Sequence, residues 1–306
     1  MNRIGIDLGG TKIEARLYAP DGAERARQRV PTPRSHEGTI NAIARLVEDL
    51  EAAHGASRVG LAHPGSISPV TGLMRNANSV WLNDRPLRDE LSARLERPVR
   101  SANDANCFAL SEARDGAGRD GNVVFGVILG TGVGGGLVVG GRLIEGCQGI
   151  AGEWGHNPLP WPQADELDPP ACWCGKRGCL ETWLSGPGLA ASHARSHGGA
   201  LSGEAIFAAA AAGDKAALDS VARHSDQLAR GLASVINILD PDIIVLGGGV
   251  SNADGLPERI MTALPAYLFS DVCRTRIVRH QHGDASGVRG AAWLWPADET
   301  EDQDQA

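Results

Sequence analysis

The stretch Arg3-Ile4-Gly5-Ile6-Asp7-Leu8-Gly9-Gly10-Thr11-Lys12-Ile13-Glu14-Ala15-Arg16-Leu17-Tyr18 sets two apolar or alternating runs on either side of a glycine-rich break. Such a pair predicts a β-hairpin, because glycine supplies the positive φ that a tight turn needs. The pattern returns at Val123 to Leu129, where Gly130-Thr131-Gly132-Val133-Gly134-Gly135-Gly136 forms the break before Leu137-Val138-Val139. A third glycine run, Gly247-Gly248-Gly249, follows the strand candidate Ile243 to Leu246. This recurrence of strand and glycine turn is the mark of an internal duplication. Between the turns lie a helix-period stretch (Ile40, Ile43, Leu46, Val47, Leu50), a short strand from Val59 to Ala62 and a helix carrying Leu87, Leu91 and Leu95. A strand from Val99 to Ser101 ends at Asn103-Asp104, and helical composition runs from Ala105 to Arg114. The second half holds a long helical pattern through Val221, Leu228, Leu232, Val235, Ile236 and Leu239. The alternation predicts an α/β architecture.

A chain of 306 residues exceeds what one hydrophobic core organises, so about two domains with a cleft between them are expected. The formal net charge of -8, from Lys+Arg 29 against Asp+Glu 37, repels a phosphate backbone and anionic lipid, and no nucleic-acid partner is expected. Met1-Asn2-Arg3 runs straight into the first strand candidate, and no apolar run approaches the roughly 18 residues that span a bilayer. The expectation is a cytoplasmic protein without membrane contact. Cys172, Cys174 and Cys179 crowd together as metal ligands do, whereas a disulfide scaffold would spread its cysteines. The Gly- and Pro-rich segment 146–170 predicts a structured functional loop, and Asp298 to Asp304 an acidic, disordered tail.

Three glycine turns suit a nucleotide, since phosphates need converging backbone N–H groups with no side chain in the way. A P-loop is excluded: the only lysines, Lys12, Lys176 and Lys215, lack its strand-glycine-lysine-hydroxyl order. A dinucleotide fold is excluded too, because the first glycine turn lies between strands rather than opening a helix. Asp7, at the end of the first strand, suits either an Asx turn or a Mg²⁺ ion bridging phosphates. Thr11 and Thr131 offer hydroxyl donors. Read from the residues alone, Asp104 is first an N-cap for the helix that begins at Ala105.

Taken together, Gly5 to Lys12, Gly130 to Gly136 and Cys172-Trp173-Cys174-Gly175-Lys176-Arg177-Gly178-Cys179-Leu180-Glu181 resemble the ROK family of sugar kinases, repressors and open reading frames. Asn76 to Asn83, Gly152 to Trp161 and Gly283 to Ala292 look most like its bacterial fructokinases, with N-acetylglucosamine kinases and glucokinases as alternatives. The resemblance implies the actin-like ATPase fold, two ribonuclease-H-like lobes clamping ATP and a hexose, commonly as a homodimer. It places residues 1–117 with 288–306 in a small lobe and 118–287 in a large one. It implies that Asp7, Gly9, Gly10, Thr11, Lys12, Gly130, Thr131, Gly132, Gly134 and Gly135 hold the phosphates with Mg²⁺, with Gly247, Gly248 and Gly249 by the adenosine. Pro64, Gly65, Asn103, Asp104, Glu153, His156 and Glu181 would bind the sugar, with Asp104 as catalytic base. His156, Cys172, Cys174 and Cys179 would hold a structural Zn²⁺, the other nitrogen of His156 facing the sugar. His63, ahead of Pro64-Gly65, departs from the family pattern and is expected to pack. Repressors of the family carry a DNA-binding segment ahead of the first turn. That turn begins here at Gly5, so a kinase is expected over a repressor, and Asp104 alongside all three glycine turns favours a kinase over a sugar sensor.

Overall fold

The computed structural model describes residues 1–296 of the chain, so the acidic tail from Asp298 to Asp304 lies outside the described residues. The first part of the chain gives β1 (Asn2–Leu8), β2 (Lys12–Tyr18), β3 (Glu24–Pro31), α1 (His36–His54), β4 (Ser57–His63), β5 (Ser66–Ile67), β6 (Met74–Arg75), α2 (Leu87–Arg94), β7 (Val99–Asn103) and α3 (Asp104–Asp115). The second part gives β8 (Val123–Leu129), β9 (Val133–Val139), β10 (Arg142–Ile144), α4 (Glu181–Leu184), α5 (Gly186–His197), α6 (Gly203–Ala211), α7 (Lys215–Leu239), β11 (Ile243–Gly247), α8 (Leu256–Ala263), β12 (Arg276–Arg279) and α9 (Ser286–Trp293).

Two five-stranded sheets repeat one plan, with orders β3-β2-β1-β4-β7 and β10-β9-β8-β11-β12. In each, an antiparallel hairpin is continued by two parallel strands. The hairpins are the ones the glycine breaks predict, with Leu8 opposite Ile13 and Leu129 opposite Val133. Alternation buries Ile4, Ile6, Leu8, Ile13 and Leu17 against Ile40, Ile43, Val47 and Leu50 of α1. In the second sheet Val127, Leu129, Ile244 and Leu246 pack on Leu228 and Leu232 of α7. Helix α7 begins at an Asp214 cap that accepts from Ala217 N–H, and ends where Asp240 turns left-handed at φ 45°.

The glycine run Gly134 to Gly136 lies inside β9 rather than in the turn, which closes at Gly132. Bare backbone is needed there because a Cβ on Gly136 would stand 2.8 Å from the Ala105 carbonyl oxygen of α3, and one on Gly135 2.8 Å from that of Gly152. Helix α3 therefore lies directly on the second sheet. Helix α9 lies on the first and meets α3 at Gly290, where an added Cβ would stand 1.7 Å from the Cys107 carbonyl oxygen. Among the described residues no helix is long and apolar enough to cross a membrane.

Candidate active site

In the first sheet, Asp7 stands level with Ala62 of β4 and Ala102 of β7, so Asp7 and the Asn103-Asp104 pair come to the same carboxyl end. That edge is where ligands meet open α/β sheets. The residue that caps α3 is Asn103, one place earlier than the sequence suggests. Its Oδ1 accepts from Ala105 N–H at 2.9 Å, while its Nδ2 donates to the Gly65 carbonyl at 2.9 Å, tying the helix start to the Pro64-Gly65 turn. Asp104 becomes the first helical residue, and its Oδ1 shares the Ala105 N–H at 2.8 Å. Burial lifts the Asp104 carboxyl above the usual range, and Glu153 adds to the rise against that backbone bond. Burial, then Asp104 and Glu14, raise Asp7 to about 6.

Asp104 opens into a cleft of about 810 Å³ lined by residues of both sheets. Pro64, Gly65, Asn103 and Asp104 meet Gly130, Thr131, Gly132, Gly134 and Gly135 there, with Glu153, His156, Cys174 and Glu181 on the remaining wall. The β8–β9 turn is held from both sides: Gly130 N–H donates to the Gly132 carbonyl, and Gly186 N–H donates to Gly130's, each at 2.9 Å. Glu181 is held rather than solvated, its Oε2 accepting from Val133 N–H at 3.1 Å and its Oε1 from the Trp173 indole at 2.7 Å. Glu153 precedes a 3₁₀ turn pinned by the Trp154 indole on the Gly134 carbonyl at 3.0 Å. Burial raises the Glu153 carboxyl; His156 opposes this and Glu181 adds to it.

The remaining predicted nucleotide residues do not line this cleft. Gly9, Gly10, Thr11 and Lys12 sit at the tip of the β1–β2 hairpin, closed by Gly9 N–H on the Lys12 carbonyl at 3.0 Å and braced by Thr32 on Gly9. Gly247, Gly248 and Gly249 follow β11, and Gly248 lies against Leu129 backbone at the end of β8. Their turn therefore borders Gly130 from behind.

The four predicted metal ligands converge. One ring nitrogen of His156 and the sulfurs of Cys172, Cys174 and Cys179 all lie within 4.8 Å of one another. Cys172 Sγ is 3.7 Å from His156 Nδ1, and Cys174 Sγ is 3.6 Å from Cys179 Sγ. A tetrahedron with metal–sulfur bonds of about 2.3 Å has edges of about 3.8 Å, so the donor set fits one ion.

The sequence profile of the ROK family matches residues 3–298. The chain belongs to the ROK family. Over 296 residues this ROK protein is 41% identical to an N-acetyl-D-glucosamine kinase of Pectobacterium atrosepticum, covering 95% of this chain and 97% of that one. It is similar in structure to a ROK hexokinase from Thermus thermophilus, with TM-score 0.84, 34% identity, and 95% of this chain and 97% of that one covered. A ROK family glucokinase from Streptomyces griseus, solved with glucose and AMPPNP, aligns with TM-score 0.78, 31% identity, and 96% and 99% covered. The fold is the actin-like one that the paired sheets express.

Several residues of the ROK cleft escape the sequence reading. Asn76, Asn78, Ile150, Trp173 and Lys176 also line it. Asn76 takes φ 57°, a left-handed turn that a short asparagine-rich run permits, and that run was the available signal. His63 is buried, with Nδ1 3.2 Å from the Pro64 carbonyl, and burial lowers it to about 4. It packs, as expected, as a neutral ring.

Proposed function

We propose that this ROK protein is an ATP-dependent kinase that phosphorylates a hydroxyl of N-acetyl-D-glucosamine. The observation that carries the reading is the meeting in one cleft of Asp104 at the head of α3, the glycine turn Gly130–Gly132, and Glu153, His156 and Glu181. A sugar hydroxyl is a poor nucleophile until its proton has a base to go to. Asp104 accepts that proton as the hydroxyl oxygen attacks the terminal phosphorus of ATP, and ADP leaves with the electron pair of the broken P–O bond. The raised carboxyl of Asp104 makes it a stronger base than an ordinary aspartate. Glu153 and Glu181 accept sugar hydroxyls and fix the ring.

Asp7 is a half-buried carboxylate crowded by Asp104 and Glu14, an arrangement that suits a divalent cation. Mg²⁺ held beside it would neutralise phosphate charge. Zn²⁺ on His156, Cys172, Cys174 and Cys179 would be structural, since four protein donors close the coordination shell. The 41% identical relative supports N-acetyl-D-glucosamine over the fructose expected from sequence. Glucose is the second reading, supported by the Streptomyces griseus glucokinase. Turnover of ATP with N-acetyl-D-glucosamine, glucose, mannose and fructose tests this. The highest kcat/KM is expected for N-acetyl-D-glucosamine; a higher value for another hexose would replace that substrate, and no turnover with any would overturn the kinase reading.

A further inference from the structure

Trp173 stands between two of the sulfur donors, with 66% of its surface exposed. It lines the cleft beside His156 and Glu181. Its indole N–H donates to Glu181 Oε1 at 2.7 Å. Its ring meets the His156 imidazole edge-on, with centroids 5.0 Å apart and planes at 85°. One side chain of the cysteine loop thus touches two of the polar groups on this wall. A tryptophan on an ordinary surface turn would leave its N–H to water. Here the only polar atom of the ring is committed to a carboxylate, and the ring lines a cleft that also holds His156, Lys176 and Glu181. Small-molecule sites combine such an aromatic wall with a few fixed polar groups, and a sugar offers apolar C–H faces and, when acetylated, a methyl group to cover it.

We propose that Trp173 is a sugar-contacting residue, its ring packing against the bound sugar while its N–H holds Glu181 in place to accept sugar hydroxyls. The inference rests on the sugar-kinase reading, but on no particular hexose. Trp173→Phe keeps an aromatic face and loses the N–H, whereas Trp173→Leu loses both. The KM for sugar rises about tenfold in the first and about thirtyfold or more in the second. The KM for ATP and the zinc content stay at native values, which a collapsed cysteine loop would not allow. Tryptophan emission of the native protein shifts on titration with the preferred sugar, and this shift disappears in Trp173→Phe. Unchanged KM in both variants, an emission shift that survives Trp173→Phe, or a KM rise only where zinc is lost would each overturn the proposal. Native emission that responds to none of the four hexoses would overturn it as well. Preference for glucose over N-acetyl-D-glucosamine would displace only the substrate, since Trp173 is judged with whichever sugar binds.

Discussion

Glu112 has no exposed surface, yet its carboxylate is fully engaged: it accepts from the backbone of Ala117, Gln281 and His282 and from the Ser286 hydroxyl, at 2.8 to 3.0 Å. It ties α3, the helix that begins at Asp104, to the segment that leads into α9. Burial alone would raise its carboxyl, but the bonds from Gln281, Ala117, His282 and Ser286 outweigh it and hold the group below the usual range. A lowered carboxyl stabilises the fold fully above the ordinary glutamate value, and the contribution is lost as pH falls through the folded one. Glu112→Ala should cost about 2–4 kcal/mol in urea unfolding at neutral pH, with the gap to the native protein narrowing under acid. None of this is legible in the sequence, because three of the four partners lie about 170 residues away. The Asn103-Asp104 junction is legible to within one residue. What misassigns the cap is the strand end, since two consecutive polar residues both satisfy the composition of a helix start.

At the scale of elements, the hairpins, the long α7 and the strand before Asn103 follow directly from periodicity, and each appears at or near its expected place. Gly134 to Gly136 mislead because glycine serves turns and close backbone approach alike, and only the position of α3 distinguishes them. The segment 146–170 is a structured loop, anchored where Arg230 of α7 pairs with Glu166 through two 2.7 Å contacts, both side chains buried. Its other anchor is the cluster of His156, Cys172, Cys174 and Cys179. If the cluster holds the proposed zinc, a strong chelator should therefore loosen the wall of Glu153, His156 and Glu181 more than the glycine turns. The sugar KM is expected to rise at least about tenfold, with the ATP KM within about twofold. Full activity at well under one zinc per chain would show that the loop stands without it.

At the scale of the molecule, two sheets of identical order face one cleft, and the duplication is visible in sequence because each copy keeps its strand-glycine-strand signature. The loop residues Asn76, Asn78 and Trp173 are not legible there as parts of the cleft, since they reach it only in three dimensions. The central claim is that this cleft transfers phosphate to a hydroxyl activated by Asp104. The measurement that tests it most directly is the kcat of Asp104→Asn, which keeps the shape and removes the base, alongside calorimetric sugar binding. The account predicts a fall of at least about 10²-fold in kcat with sugar still bound. A kcat within about threefold of the native enzyme would contradict it.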